Sequence, residues 1–377
     1  MFSASGSFTD AYKHLYDKAS RALFKLKQIN VHSNVPVALK LFDSLVAPIV
    51  TYCSEIWGAF LFKLIPDNDF FSACEQFPIE CLLTKFAKYL LRVRRRSCNA
   101  AVRGELGLYP LLCRVIFSVT TNWRRIVSCE SNSLIRRSYL EYCHALKDHP
   151  AHPKSNCTKN IKNMFEYFDH AEIWHNQGYK RQTGVPNSFK SAVLAKYKTS
   201  WHTSVQNNAS LRSYFSFKKN FALENYLLFL PIVPRSKFSK LRISAHHLHV
   251  ETGRHKKPVT PVHLRICSNC DTGAIEDEQH VLIDCPHYSV HRDSVFKNLS
   301  EFTDFNLLKT SRDKFTSIMS LGASDTEYMR YISPLIDVIM TWHTSTNRFH
   351  PPPLNKVSAV VLLREISYWC CTCWIMF

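Results

Sequence analysis

Glycine is scarce in this sequence, with nine residues among 377. Enzymes that cradle phosphates or dinucleotides place several glycines close together, and neither G-x-G-x-x-G nor G-x-x-x-x-G-K-[ST] occurs here. The H-E-x-x-H helix of zinc peptidases and the G-x-S-x-G turn of serine hydrolases are missing as well. The sequence therefore lacks the signatures of these enzyme classes, and nothing in it indicates a small-molecule substrate.

Long apolar runs are also lacking. No stretch approaches the roughly 18 to 20 apolar residues that a membrane-spanning helix needs. The N-terminus, MFSASGSFTDAYKHLYDKASRALF, becomes amphipathic and charged without an apolar core before a cleavage site, unlike a signal peptide. With 46% apolar and 13% aromatic residues, the chain can nevertheless bury a core. We expect an intracellular protein, nuclear or cytoplasmic, with no membrane partner.

That expected location decides how the 14 cysteines are read. In a reducing compartment, a cysteine is more often a buried apolar residue or a metal ligand than a disulfide partner. Eight of them lie between Cys53 and Cys157 without a repeated spacing, which predicts ordinary core or surface positions. Cys370, Cys371 and Cys373 lie in the apolar tail WCCTCWIMF, with no histidine nearby. The other three cysteines follow a spacing that indicates metal binding.

The segment CSNCDTGAIEDEQHVLIDCPHY begins at residue 267 and combines three cysteines with a histidine. The predicted ligands are Cys267, Cys270, His280 and Cys285. Zinc prefers four tetrahedral nitrogen and sulfur ligands, and three thiolates with one imidazole leave no open position for water. We therefore predict a structural Zn²⁺ rather than a hydrolytic one. Three neighbours compete for the histidine position: His263, His287 and His291. The alternative is that these residues bind no metal.

Positive charge is the second strong feature. Lys and Arg total 48 against 30 acids, which gives a net charge of +18. Because cationic side chains bind phosphates and release counterions, RNA or DNA is the expected partner. Between Lys85 and Arg125 there are ten basic residues and one acid, Glu105. The predicted phosphate-binding residues are Arg92, Arg94, Arg95 and Arg96 in that region, with Lys256, Lys257 and Arg265 beside the zinc segment. The alternative is a solvated basic surface.

Apolar periodicity predicts a mainly α fold. Three stripes at helical spacing are expected to face the core. They are Tyr12, Leu15, Tyr16, Ala19, Leu23 and Leu26; Leu41, Leu45 and Ile49; and Ile79, Leu82, Leu83, Phe86, Leu90 and Val93. Aromatic residues around Lys218 and Lys219 either pack together or stack on bases.

Several short blocks resemble the C-terminal region of non-LTR (LINE-type) retrotransposon reverse transcriptases. ASRALFKLKQ, ALKLFDSLVAPIVTYCSEIWG and FAKYLLRVRRRSCNAAVRGELGLYPL are similar to the thumb and the region after it. LRISAHHLHVETGRHKKPVTPVHLRICSNCDTGAIEDEQHVLIDCPHYSVHR is similar to the zinc-binding segment of the same proteins. The blocks occur in the family's order and cover most of residues 8–295.

The resemblance implies a nucleic-acid-binding fragment of an RNA-directed DNA polymerase that grips template, primer or target. In this family Mg²⁺ is held by paired aspartates of a palm domain, but this sequence has no Asp-Asp pair. We expect fingers and palm to precede residue 1, and the chain alone to be inactive as a polymerase. Two alternatives stay open: a zinc-stabilised protein-interaction or transcription-associated protein, and an inactive, decayed transposon remnant.

The expected organisation follows from these blocks and from the proline-rich stretches. The predicted segments are thumb-like helices (1–65), a basic helical connector (66–143), a linker (144–165), a helical region (166–240), the CCHC zinc-binding module (241–300), C-terminal helices (301–346), and a Pro-rich joint with an apolar tail (347–377).

Overall fold

A computed structural model describes residues 8–64, 69–148, 156–177, 186–302, 304–321 and 325–345. These residues fold into nineteen α-helices joined by short turns. The first nine are α1 (Thr9–Gln28), α2 (Val35–Leu45), α3 (Ala47–Val50), α4 (Ser54–Trp57), α5 (Phe70–Cys74), α6 (Pro78–Leu90), α7 (Asn99–Leu106), α8 (Leu111–Val127) and α9 (Leu134–Asp148). The others are α10 (Asn156–Tyr167), α11 (Ala171–His175), α12 (Asn187–Gln206), α13 (Tyr214–Phe217), α14 (Tyr226–Phe229), α15 (Ile232–Arg242), α16 (His249–Thr252), α17 (Ser289–Phe302), α18 (Ser311–Leu321) and α19 (Thr326–Ser345).

The mainly α prediction is confirmed. Within the described ranges, β-pairing is limited to two isolated bridges, Leu106 with Leu223 and Ile266 with Ile275. No single described helix is long and apolar enough to cross a membrane; one bent pair, Val35–Val50 with Ser54–Phe62, reaches that length and hydropathy together. Residues 347–377, including the predicted tail and its three cysteines, lie outside the described residues.

Helix α6 follows its sequence pattern closely. Pro78 occupies its first turn, where a missing N–H costs nothing. All of the predicted stripe from Ile79 to Leu90 is buried, and Phe86 stacks on Phe42 of α2 with ring centroids 4.5 Å apart. This packing fixes α6 against the N-terminal helices.

The stripe predicted around α2 is partly right: Leu41 and Ile49 are half-buried against the core, but Leu45 is not. Asn34 caps α2, accepting a hydrogen bond from the Val37 N–H at 3.1 Å. However, Leu45 is 51% exposed, and the buried face is formed by Val35, Ala38 and Phe42. The predicted stripe kept one helical phase from Leu41 to Ile49, whereas α2 ends at Leu45 and α3 begins at Ala47, so the phase is reset between them.

Buried apolar residues from every described part of the chain form one contiguous cluster. Helices α9 and α10 both extend into the predicted linker, of which residues 149–155 are not described. Lys218 is buried, and its ammonium pairs with Glu224 and donates to the Ala222 carbonyl at 2.8 Å. Lys219 lies over the Phe215 ring, 4.9 Å from its centroid. The aromatic residues near these lysines therefore contribute to packing.

Candidate metal centre and cationic surface

The four predicted metal ligands lie together. The ligand atoms of Cys267, Cys270, His280 and Cys285 are all within 4.8 Å of one another. The Sγ atoms of Cys267 and Cys285 are 3.9 Å apart, and Sγ of Cys270 lies 3.4 Å from Nε2 of His280. Ligands placed tetrahedrally about 2.3 Å (sulfur) and 2.0 Å (nitrogen) from one ion stand roughly 3.5 to 3.8 Å apart. The group can therefore hold a metal ion, and its donor set is compatible with structural zinc.

Local backbone structure brings the ligands to one place. The N–H of Cys267 donates to the Ala274 carbonyl at 2.8 Å, and the N–H of Glu276 donates to the Arg265 carbonyl at 2.9 Å, which closes a small loop. Gly273 turns this loop with a φ of +69°, in the left-handed region that favours glycine. A single π-helical turn, His280–Asp284, then carries the chain from the third ligand to the fourth.

Hydrogen bonding prepares Cys270 for a metal. Burial raises the pKa of its thiol, but hydrogen bonds from Thr272 and His280 outweigh burial and lower that pKa to about 6. Burial raises the pKa of Cys267 and of Cys285. A cation among the three sulfurs would reverse this effect, because a coordinating thiol is deprotonated by the ion's charge.

Glu278 anchors the metal loop, which runs from Cys267 to Cys285, to the helical body. Its carboxylate is buried and accepts hydrogen bonds from Arg212 Nη2 at 2.7 Å, from Ser244 Oγ at 2.8 Å and from His246 Nε2 at 2.8 Å. Burial alone raises the pKa of this carboxyl, but His246 and Arg212 beside it lower that pKa to about 2. Glu278 was not among the predicted site residues. The acidic block EDEQH was its one visible signal.

The arginine turn, residues 92–96, is exposed at the end of α6. Arg92 has a φ of +51°, in the left-handed conformation common just after a helix, and the N–H of Val93 closes the end by donating to the Lys88 carbonyl at 3.1 Å. Arg92, Arg94, Arg95 and Arg96 are all exposed to solvent. Their role in phosphate binding stays a prediction.

The basic residues beside the metal loop divide into two kinds. Lys256 and Lys257 are exposed, as phosphate contact requires. Arg265 is 4% exposed, and its guanidinium donates to the carbonyls of Val250 at 2.7 Å and Thr260 at 2.9 Å. The predicted role of Arg265 in nucleic-acid binding is therefore corrected: buried and bonded to backbone, it supports the fold.

Two exposed basic residues that are far apart in sequence, Arg94 and Lys256, contact the same short segment of the chain. Nη2 of Arg94 lies 3.0 Å from Nδ1 of His247, and Nζ of Lys256 lies 3.3 Å from Nε2 of His249. Since His247 and His249 are two residues apart, their Cα atoms are separated by at most about 7 Å. Arg94 of the arginine turn and Lys256 of the metal module therefore both contact one three-residue segment. The exposed cations around this segment are hereafter called the cationic surface: Arg92, Arg94, Arg95, Arg96, Lys256 and Lys257.

Further cations border this surface, and they were not among the predicted site residues. Burial lowers the pKa of Lys240, on α15, and the charges of Arg92 and Arg94 lower it further. Burial lowers the pKa of Lys27, on α1, as do the charges of Lys85 and Arg95. These mutual repulsions show that cations from separate helices lie close together. Their positions depend on tertiary packing, which leaves no periodic signal in the sequence.

Comparison of the chain with protein-family models, with curated proteins and with solved structures finds no match.

Proposed function

We propose that this protein binds nucleic acid through the cationic surface, with a structural zinc ion holding the metal module in place, as the C-terminal part of a non-LTR retrotransposon reverse transcriptase. The single observation that carries the proposal is that Arg94 of the arginine turn and Lys256 of the metal module contact the same short segment, at His247 and His249. Lys and Arg side chains that neutralise phosphates supply affinity that does not depend on sequence.

The position of Arg92 is compatible with this proposal. Its φ of +51° ends α6 and leaves its side chain exposed to solvent, where a phosphate can reach the guanidinium. The conformation itself carries no argument, because Asn30, Asp169, Gln177 and Ser244 adopt it at the same position after other helices.

Zinc has a supporting role in the proposal. Three thiolates and an imidazole complete a tetrahedral shell, so the ion supplies folding free energy and no reaction site. Its four ligands close the loop that carries Glu278. In this proposal, the chain grips template, primer or target, and the zinc ion takes no part in catalysis.

The test is binding of fluorescent single-stranded RNA, single-stranded DNA and duplex DNA, each measured over a range of salt concentrations. Proposed binding predicts affinity that falls steeply with salt, with a slope of about 0.7 per phosphate contact for single strands and about 0.9 for duplex. Absence of binding at low salt to all three probes would refute the proposal.

A protein partner is the second candidate, and one observation favours it. Four aliphatic side chains of the metal module are 46% to 60% exposed within eight residues of sequence: Val259, Val262, Leu264 and Ile266. Exposed apolar groups of this kind mark protein interaction sites when they form a continuous patch. Affinity for a partner that changes little with salt, together with no oligonucleotide binding, would favour this function.

A further inference from the structure

Two adjacent histidines connect the metal loop to the arginine turn. His246 is buried and contacts Glu278, whereas His247 contacts Arg94. One dipeptide thus touches the carboxylate that anchors the metal loop and a guanidinium of the cationic surface. Any movement of this dipeptide changes both contacts.

The hydrogen bonds around His246 fix its protonation pattern. Its Nδ1 accepts from the N–H of Leu248 at 3.2 Å, so the ring proton lies on Nε2 and is donated to Glu278. Ser244 donates to the same carboxylate oxygen at 2.8 Å. Residues 244–248 are therefore held to the metal loop by side chains on either side of Ala245.

Glu278 in turn is held by the ligand geometry. It precedes His280 by two residues, and the N–H of His280 donates to Oδ1 of Asp277 at 2.8 Å. An ion bound to His280 and to three cysteines fixes the backbone of this turn, and with it the position of the Glu278 carboxylate. Groups that orient metal ligands from outside the shell commonly tune a site in this way.

We infer that Glu278 is a positioning residue that transmits metal binding to the arginine turn through His246 and His247. This inference rests on the proposed function, since it makes nucleic-acid binding by the arginine turn depend on the metal, although Arg94 of that turn contacts His247 rather than a metal ligand. Loss of the metal frees the turn around His280, which moves Glu278, releases residues 244–248 and removes the partner of Arg94.

The test is amide hydrogen exchange in the full-length protein, with zinc and after chelation, because this readout needs no nucleic acid. The reporters are the N–H groups of Val93 and Ser97, which are hydrogen-bonded to the carbonyls of Lys88 and Arg94. Chelation should make them exchange roughly tenfold faster, as expected when a contact of ordinary strength that restrains them is lost. Amides of α8 serve as the internal control and should not change.

The path from Glu278 through His246 and His247 to the arginine turn is called the relay. Two substitutions at His246 distinguish loss of the relay from a general loss of stability. His246→Leu keeps bulk but cannot donate to Glu278, so the reporters should already exchange fast with zinc present and should no longer respond to chelation. His246→Gln can donate to Glu278 through its side-chain amide and should restore the zinc response. His247→Ala, a milder change, should speed the reporters while the amides of the metal loop stay protected.

The outcomes are distinct. Acceleration of the metal loop alone, with unchanged reporters, overturns the relay. Acceleration of α8 together with the reporters also overturns it, because the metal would then stabilise the whole fold without a specific path. If the reporters respond as expected but no oligonucleotide binds, the relay stands and the proposed function fails.

Discussion

Arg242 holds Glu105 in the interior through two hydrogen bonds, from Nε to Oε2 at 2.8 Å and from Nη2 to Oε1 at 3.0 Å. Both side chains are at most 1% exposed, and the hydroxyl of Tyr226 donates to the same carboxylate at 2.8 Å. Burial alone would raise the pKa of Glu105, but the charge and hydrogen bonds of Arg242 lower it. The pair joins α7, which follows the arginine turn in the chain, to α15, which precedes the metal module.

Glu105→Gln should therefore destabilise the protein strongly. Breaking a buried ion pair by removing one charge costs about 3 to 5 kcal/mol, because the remaining charge stays buried. Glu224, 3.1 Å from Nη2 of Arg242, should reduce the loss toward the lower figure. Urea unfolding measures the change in free energy. Asp43→Asn is the matched control, since Asp43 and its partner Arg114 are about half exposed and such pairs contribute roughly 0 to 1 kcal/mol. Equal effects of the two variants would contradict the assigned role of the buried pair.

The register of α2 gives a second stability test. Phe42→Ala removes a buried ring stacked on Phe86 and should cost about 3 to 5 kcal/mol. Leu45→Ala removes an exposed side chain and should change stability by less than about 0.5 kcal/mol. If Leu45→Ala proved the more damaging in urea unfolding, the register expected from sequence would be correct and the structural one wrong.

Local patterns explain why some features were predictable. The four metal ligands lie within 19 residues and meet through one turn and one hairpin-like loop, so their spacing was enough. The stripe of α6 was readable for the same reason. By contrast, Arg212 pairs with Glu278 across 66 residues, and Arg242 pairs with Glu105 across 137. No periodicity links such partners, and a charge count alone cannot distinguish the buried Arg265 from the exposed Lys256.

Alanine substitutions at two glycines, Gly107 and Gly273, distinguish the cost of backbone strain from the cost of a steric clash. Both Gly107 and Gly273 adopt positive φ, +60° and +69°, but a Cβ at Gly107 would lie 2.6 Å from the backbone nitrogen of Leu223, whereas Gly273 faces open space. Gly273→Ala should therefore cost only the conformational penalty, about 1 to 2 kcal/mol. Gly107→Ala should cost clearly more, because the backbone at Leu106 and Leu223 must separate. Chemical unfolding of the two variants gives the comparison, and equal costs would show that the close approach at Gly107 relaxes freely.

Metal content is tested by Cys270→Ser. The purified wild type should contain one zinc ion per chain, and the variant should contain less, because a serine hydroxyl does not replace a thiolate in the shell. Chelation should lower the unfolding temperature of the wild type and have little effect on the variant. Cys129→Ser is the control, since Cys129 is partly exposed and its thiol donates only to the Arg125 carbonyl. Unchanged zinc stoichiometry in Cys270→Ser would count directly against the metal site. Reduced zinc with unchanged oligonucleotide affinity would show that nucleic-acid binding does not depend on the metal.

The cationic surface is tested by removing equal charge from two places. Arg95→Gln/Arg96→Gln removes two exposed charges from the arginine turn, and Lys190→Gln/Lys198→Gln removes two exposed charges from α12. If both arginines contact phosphates, the first variant should lower the salt slope of oligonucleotide binding by about 1.4 for a single strand or about 1.8 for duplex. The α12 variant has the same net charge, so it should keep the wild-type slope unless binding follows total charge alone. Equal slopes in the two variants would therefore refute a specific surface, whereas a loss confined to the arginine variant would locate phosphate contact beside the metal module.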